Sequence, residues 1–200
     1  LAARVEERLE DFARLLTREQ GKPIADARGE MALVVEFLRY YATATLPVER
    51  ISDSETTHVE VHRKPLGVVA AICPWNFPVL IAAYKLAPAV LAGNTVIVKP
   101  AATTPLTTLW LGELAADLFP AGVVNVIADR NDLGAALSQH SDVAKVTFTG
   151  STATGKRVMQ AAADVLEGDD EAVVVDFDTG RHGAAPLDVL AIGHLPRAQQ

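Results

Sequence analysis

The turn that follows residues 143–149, Val-Ala-Lys-Val-Thr-Phe-Thr, has the residue types of an anion-binding site. Alternating apolar and β-branched residues predict a buried strand there, and Gly150 ends it. Ser151 is a residue type that caps helices, and the segment through Gly155 predicts the first turn of a helix. Unpaired backbone N–H groups and the helix dipole at such a start both favour negative charge. We therefore predict that this turn holds a phosphate.

Two further interpretations of the turn stay open on its residues alone. Gly150 and the pair Gly155-Lys156 have the spacing of a P-loop, and Asp176 ends an apolar run like the acidic strand of an NTPase. However, a P-loop requires Ser or Thr after the lysine to hold Mg²⁺, and Arg157 stands there. Because a lone glycine pattern is a weak signal, an ordinary strand–helix turn without a ligand is the other alternative.

Composition indicates a globular chain without a nucleic-acid partner. Half of the 200 residues are hydrophobic, which is enough for a substantial core. The formal net charge of -7 argues against nucleic-acid binding, which needs a basic face. The uncharged stretch from Leu66 to Tyr84 contains Pro74, Asn76 and Pro78, so it predicts strand, turn and helix and no membrane span. A single cysteine excludes an internal disulfide and a cysteine-based zinc site, and it favours the reducing cytoplasm.

From residue 66 onward, short apolar runs alternate with helical patterns. This rhythm predicts an α/β fold in which helices cover both faces of a parallel sheet. Such sheets bind ligands beyond the carboxyl ends of their strands, where segments 73–78, 99–100 and 149–155 fall. The predicted strands are 67–72, 94–99, 123–127, 144–149 and 172–176, and the predicted helices are about 79–91, 105–118, 131–139 and 151–163.

Before residue 66 the pattern differs. Apolar residues at helical spacing predict one amphipathic helix over residues 1–20 and a second over about 24–44. Residues 57–64 alternate and predict an antiparallel edge strand. The polar residues on one face of that strand are His58, Glu60 and His62. Their types allow metal binding, although a solvated strand face is the favoured interpretation.

Three motifs occur in order along the chain: Pro-Trp-Asn-Phe-Pro at 74–78, Gly-Asn-Thr-Val-Ile-Val-Lys-Pro at 93–100, and Phe-Thr-Gly-Ser-Thr-x-x-Gly at 148–155. In this combination the sequence closely resembles the NAD(P)-dependent aldehyde dehydrogenase family, from about Leu1 to Ala163. The combination is far more specific than any one motif, so it displaces the P-loop interpretation. The resemblance implies a Rossmann-like cofactor domain and a missing catalytic domain. The implied boundaries are 1–56 for helices that pack on the cofactor domain, 57–65 for an edge strand of an oligomerisation-type hairpin, 66–178 for the cofactor domain and 179–200 for a tail outside the family.

The resemblance also implies NAD or NADP as the cofactor and assigns roles to individual residues. Asn76, held between two prolines, would donate to an oxyanion that forms on the substrate. Lys99 would contact the adenosine ribose, and the turn around Ser151 would bind the pyrophosphate. Lys85 would lie near the active site or serve only in packing. The implied cofactor contacts are Ile72, Pro74, Trp75, Asn76, Lys99, Ala102, Gly150, Ser151 and Gly155.

One position departs from the pattern of NAD-specific family members. Members that are strict for NAD tend to carry Glu three residues after the cleft lysine, where it accepts from the ribose 2′-hydroxyl. Here that residue is Ala102, which offers neither an acceptor nor a charge that would repel a 2′-phosphate. We therefore expect NADP⁺ to bind at least as well as NAD⁺.

The catalytic groups of the family are missing or doubtful in this chain. The nucleophilic cysteine of the family lies far beyond the glycine turn, so we expect a truncated chain that binds cofactor and oxidises no aldehyde alone. The one thiol present, Cys73, ends an apolar strand, and a structural role is predicted because burial raises the pKa of a thiol. Glu167 is a doubtful remnant of the general base, in an acidic turn that also fits a solvated loop.

The competing hypothesis is a non-catalytic interaction fragment. Without a catalytic half, apolar surface would stay uncovered, and such surface tends to drive association into homo-oligomers. A small aldehyde would then be a substrate only if the missing half were supplied.

Overall fold

The computed structural model describes residues 1–165 and 174–178. In chain order the elements are α1 (Ala2–Glu7), α2 (Leu9–Gln20), α3 (Ile24–Thr43), β1 (Glu49–Asp53), β2 (His58–Val61), β3 (Val68–Ile72), α4 (Pro78–Leu91), β4 (Thr95–Lys99), α5 (Leu106–Ala115), β5 (Val124–Val126), α6 (Leu133–Gln139), β6 (Val143–Thr149), α7 (Thr152–Val165) and β7 (Val174–Asp178). From β3 onward strands and helices alternate, as the periodicity predicts. Within the described part of the chain, every helix is too short or too polar to cross a membrane.

Five strands form one parallel sheet in the order β5-β4-β3-β6-β7. The central strand β3 pairs with β4 on one side, with Ile72 opposite Lys99, and with β6 on the other, with Ile72 opposite Phe148. The chain adds β4 and β5 on one side of β3 and then crosses over to add β6 and β7 on the other. This reversal is a topological switch point, where open parallel sheets form a crevice at the carboxyl ends of their strands. The predicted Rossmann-like α/β fold is confirmed.

The two faces of the sheet bury alternate residues of β3. Val69 and Ala71 belong to the core formed with α4, β4 and the N-terminal helices. Ala70 and Ile72 belong to a second core formed with β6 and α7. The alternation follows from the two-residue period of a strand, and an uninterrupted apolar run is expected where both faces are covered.

The three N-terminal helices form a further layer, in which α3 packs along α4. The predicted first helix is interrupted at Arg8, whose φ of -115° and ψ of 16° leave the helical region. With this bend α1 contacts α5, where Arg4 donates to the carbonyl oxygen of Leu114 (3.1 Å). In the neighbouring contact between α2 and α5, the rings of Phe12 and Trp110 stack with their centroids 4.0 Å apart.

Strands β1 and β2 form a separate antiparallel hairpin that is exposed along nearly its whole length. A strand at β2 agrees with the alternation seen in the sequence, whereas β1 was not predicted because its residues lack that alternation. His58 pairs with Asp53, and Nε2 of His62 lies 3.0 Å from Oε2 of Glu60. Among the described residues no group of three His, Cys, Asp or Glu side chains could hold a metal ion.

A buried asparagine connects the segments that precede β3 and β4. Asn94 Oδ1 accepts hydrogen bonds from the backbone amides of Leu66 (2.6 Å) and Gly67 (3.1 Å), and Nδ2 donates to the carbonyl oxygen of Ala89 (3.1 Å). The carbonyl oxygen of Ala89 also accepts from the backbone amide of Asn94 (3.0 Å), so the side chain matters most to the two amides. Asn94 therefore fixes where α4 ends and where β4 begins beside β3.

We predict that Asn94→Ala lowers the free energy of unfolding by about 2 kcal/mol, because the amides of Leu66 and Gly67 lose their side-chain acceptor. Urea denaturation followed by circular dichroism measures this loss. Asn94→Asp keeps the acceptor oxygens and should cost less than Asn94→Ala. A loss below about 0.5 kcal/mol in Asn94→Ala, the range of neutral surface substitutions, would contradict the assignment.

Candidate functional site

A groove of about 860 Å³ lies at the switch point, along the carboxyl ends of β3, β4 and β6 and between α6 and α7. Its volume is within the usual range for cofactor and small-molecule sites. Parallel pairing brings the ends of the three strands to one edge of the sheet, so residues distant in sequence meet there. The predicted cofactor contacts that border the groove are Ile72, Pro74, Trp75, Asn76, Lys99, Gly150 and Ser151.

The glycine turn joins β6 to α7 at one side of the groove. Ser151 Oγ accepts a hydrogen bond from the amide of Thr154 (3.2 Å), so Ser151 caps α7 as its residue type predicts. An α-helix leaves its first amides without intrahelical partners, and those of α7 adjoin the groove. A Cβ added to Gly150 would lie 2.6 Å from the ring of Phe148, so glycine is required for the backbone to pass this close to the ring.

The loop after β3 presents Trp75 and Asn76 to the groove. Trp75 is 59% exposed, so its indole is accessible to a ligand. Asn76 Oδ1 accepts a hydrogen bond from the amide of Phe77 (3.0 Å), which leaves its Nδ2 group as a donor for a ligand. A fixed amide donor at the mouth of a groove is what stabilisation of an oxyanion requires.

Lys22, between α2 and α3, anchors this loop from the N-terminal layer. Its Nζ donates to the carbonyl oxygen of Asn76 (3.0 Å), lies 4.1 Å from the centre of the Phe77 ring and pairs with Glu30. Glu30 is fully buried, and its Oε1 accepts from the amide of Leu80 (3.2 Å) at the start of α4. The sequence alone does not indicate this role for Lys22, because no local pattern shows that folding brings it to residue 76.

Lys99 borders the groove at the end of β4, and its charge is balanced by Asp129. The Nζ atom lies 3.0 Å from Asp129 Oδ1 and donates to the carbonyl oxygen of Pro100 (3.1 Å). The two side chains are only 4% and 1% exposed. Asp129 Oδ1 has no well-aligned hydrogen bond, so its contact with Lys99 is mainly electrostatic, whereas Oδ2 accepts from the amide of Leu133 (2.9 Å).

Asp129 is ionised at neutral pH. Burial opposes its ionisation, but Lys99 and the amides of Leu133 and Asn131 outweigh burial and hold the pKa of Asp129 below its usual value. Sequence analysis did not single out this carboxylate, because it lies in a loop without a recognised motif and meets Lys99 only after the sheet has formed.

The part of the wall formed by α6, and by α7 beyond its first turn, was not predicted as part of the site. On α6 it consists of small residues such as Gly134, Ala135 and Ser138, which keep the cleft between the two helices open. Arg157 borders the groove from α7, although in the sequence it attracted notice only as a departure from the P-loop pattern. Of the described residues that border the groove, the charged ones are Lys99 and Arg157.

Several predicted positions lie elsewhere. Ala102 is exposed and Gly155 is buried within α7, and neither borders the groove, where Ala101 lies instead. Lys85 is buried away from the groove and donates to a threonine hydroxyl of β6 (2.7 Å). Glu167 and the segment 179–200 fall outside the described residues.

Cys73 lies at the end of β3 and is 4% exposed. Burial raises the pKa of its thiol to about 11, against a smaller opposing effect of Lys85 and Lys99. The reactive thiolate is therefore almost absent at neutral pH. This environment agrees with the structural role that its place in an apolar strand predicts.

We predict that Lys22→Met lowers the free energy of unfolding at pH 7 by about 3 kcal/mol, because the buried Glu30 carboxylate loses its partner. Burial already raises the pKa of Glu30, against the opposing effect of Lys22 and the amides of Leu80 and Val79. The folded state therefore binds a proton more readily than the unfolded state, and the loss should shrink as pH falls towards 4.5, the usual value for Glu. Urea denaturation at several pH values measures this, with the exposed Lys64→Met as the control. A loss that does not change with pH would contradict the role of Glu30.

We predict that Cys73 resists alkylation by iodoacetamide at pH 8 while the chain is folded. With a thiol pKa of about 11, roughly one thiol in a thousand is ionised at that pH. In urea the thiol returns to its ordinary pKa and should react many times faster. Mass spectrometry of timed samples follows the reaction, and equal rates with and without urea would show that Cys73 is accessible in the fold.

Comparison with known proteins gives a consistent result. The sequence model of the aldehyde dehydrogenase family matches residues 1–176. Aldehyde dehydrogenase B of Escherichia coli is 45% identical over 167 residues, which cover 81% of this chain and 32% of that protein. The crystal structure of an NADP-dependent enzyme of E. coli has a TM-score of 0.80 at 36% identity and covers 88% of this chain and 37% of that one. Betaine aldehyde dehydrogenase of Staphylococcus aureus, in complex with NAD⁺, has a TM-score of 0.79 at 33% identity over 88% of this chain and 35% of that one.

The chain spans about a third of the length of the curated relatives that it matches. The matched region contains the three sequence motifs and the residues that border the groove. The sequence match, the common fold and the position of the motifs around one groove lead to the same conclusion: this chain belongs to the aldehyde dehydrogenase family.

Proposed function

We propose that this chain is the dinucleotide-binding part of an NAD(P)⁺-dependent oxidoreductase that converts an aldehyde to a carboxylic acid. The observation that carries the proposal is the groove at the switch point, where Lys99, the loop of Trp75 and Asn76, and the start of α7 meet. The solved relatives described above include an NADP-dependent enzyme and a complex with NAD⁺, which supports either dinucleotide as the cofactor.

The residues present fit a dinucleotide. Gly150 keeps the backbone beside the groove free of a side chain, and the first amides of α7 offer donors to a pyrophosphate. Lys99 supplies a donor for ribose hydroxyls, and the exposed indole of Trp75 offers an apolar surface at the mouth of the groove. Among the described residues that border the groove there is no carboxylate to repel the pyrophosphate.

The chain's own residues bind and orient, while the bound cofactor supplies the hydride acceptor. Asn76 Nδ2 is placed to donate a hydrogen bond to a carbonyl oxygen that gains negative charge, and the bond from Phe77 holds the amide in that orientation. Lys22 and Glu30 stiffen the loop behind it. Cys73 is not proposed as the nucleophile, because burial keeps its thiol protonated.

A second candidate function is assembly with another copy of the chain. Large apolar side chains are exposed on the hairpin and on the neighbouring helix α3, among them Ile51 at 64% and Tyr40 at 66%. Exposed apolar surface of this kind favours association. Light scattering of the purified chain tests this candidate, and a monomer at all concentrations would count against it.

We predict that the chain binds NAD⁺ and that Gly150→Val weakens this binding by at least about tenfold, because the added side chain meets the Phe148 ring and displaces the turn. Isothermal titration calorimetry measures the affinity. Gly29→Ala, on an open face of α3, is the control that should bind as the wild type does.

The wild-type chain mixed with NAD⁺ and acetaldehyde should form no NADH. Any oxidation that is lost in Cys73→Ala would overturn the assignment of a structural cysteine.

A further inference from the structure

We propose that Asp129 is a specificity-determining residue that makes this groove select NAD⁺ over NADP⁺. The inference rests on the proposed function, in which Lys99 contacts the adenosine ribose. The two cofactors differ only by a phosphate on the 2′-hydroxyl of that ribose. Discrimination therefore depends on the net charge close to Lys99.

The Lys99–Asp129 pair leaves little net positive charge at this place. The Lys99 Nζ atom is 3.0 Å from Asp129 Oδ1, and the two side chains are 4% and 1% exposed. In surroundings so poor in water, the carboxylate cancels most of the attraction that Lys99 would exert on a further anion. A 2′-phosphate brought to Lys99 would also meet the negative charge of Asp129 directly beyond it.

Asp129 is held in this position from the other side. Its Oδ2 accepts the amide hydrogen bond of Leu133 (2.9 Å) at the start of α6, so the carboxylate cannot turn away without losing that bond. The pair is therefore fixed, with Lys99 at the border of the groove and Asp129 buried behind it. A lysine whose counter-ion was mobile could instead exchange it for a phosphate.

Lys99 can still bind a neutral ribose. Its ammonium group has three N–H donors, of which the carbonyl oxygen of Pro100 takes one and Asp129 faces another. The third is left for a hydroxyl, which needs a donor but brings no charge. This combination suits the unmodified ribose of NAD⁺.

The Lys99–Asp129 pair reverses the expectation drawn from Ala102. That expectation treated Lys99 as an unpaired cation and position 102 as the nearest place for a carboxylate. In the fold, Ala102 is exposed, and the carboxylate that contacts Lys99 comes from the loop between β5 and α6. Among the described residues that border the groove, Arg157 is the other cation, so it is the residue there that could still attract a 2′-phosphate.

Titration calorimetry of the chain with NAD⁺ and with NADP⁺ tests the inference. The wild type should bind NAD⁺ about tenfold or more tightly than NADP⁺. Asp129→Asn keeps an oxygen acceptor for the Leu133 amide but removes the charge, and it should shift the affinity ratio towards NADP⁺ by about tenfold. Asp132→Asn, an exposed change in the same loop, should leave the ratio unchanged. Circular dichroism confirms that each variant is folded.

The outcomes separate the two proposals. If the wild type binds neither dinucleotide, the proposed function fails and this inference fails with it. If the wild type binds both equally, or if folded Asp129→Asn keeps the wild-type ratio, only the role of Asp129 is overturned. If Asp129→Asn does not fold, the ratio of the NAD⁺ and NADP⁺ affinities of the wild type tests the inference. A preference for NAD⁺ of about tenfold or more supports it, and equal affinities overturn it. A ratio that changes in Arg157→Gln but not in Asp129→Asn would assign the selectivity to Arg157.

Discussion

Parallel pairing of β3 with both β4 and β6 is the interaction on which the site depends. Because the three strands run in the same direction, their carboxyl ends meet at one edge of the sheet. Because the chain departs from β3 towards one side and returns on the other, the connecting helices diverge at that edge and leave a groove. The loop of Asn76, the end of β4 and the glycine turn are adjacent only for this reason.

Two buried ion pairs hold the elements around the groove. Lys22 and Glu30 connect the N-terminal helices to the loop that carries Asn76, and Lys99 and Asp129 connect β4 to the start of α6. Burial of a charge is costly unless it is paired and hydrogen-bonded, so each pair tolerates little displacement. In each pair the lysine also meets the functional surface, Lys22 through the carbonyl of residue 76 and Lys99 by bordering the groove itself. The same contacts thus serve stability and the geometry of the site.

The environment of the single thiol, Cys73, determines whether this thiol can act as a nucleophile. Cys73 follows β3 and lies close to the groove, but burial raises its pKa to about 11. A nucleophilic cysteine needs surroundings that lower its pKa. Cys73 is therefore unsuited to act as a nucleophile, and the proposed function assigns to this groove only the binding and orientation of a cofactor.

The sequence by itself determined the family, the alternation of strands and helices, and seven of the residues that border the groove. These follow from local signals, because each signal depends on residues close together in the sequence. The signals are the apolar periodicity, the prolines on both sides of Trp75 and Asn76, and the glycine before the helix cap Ser151. Only the tertiary structure decided the strand order, the bend at Arg8 and the pairing of β1 with β2. It also decided the partners of the two lysines, because Glu30 and Asp129 reach Lys22 and Lys99 through packing that no local pattern encodes. Ala102 shows the same limit: spacing along the chain placed it beside Lys99, but the fold turns it to solvent and places Asp129 there instead.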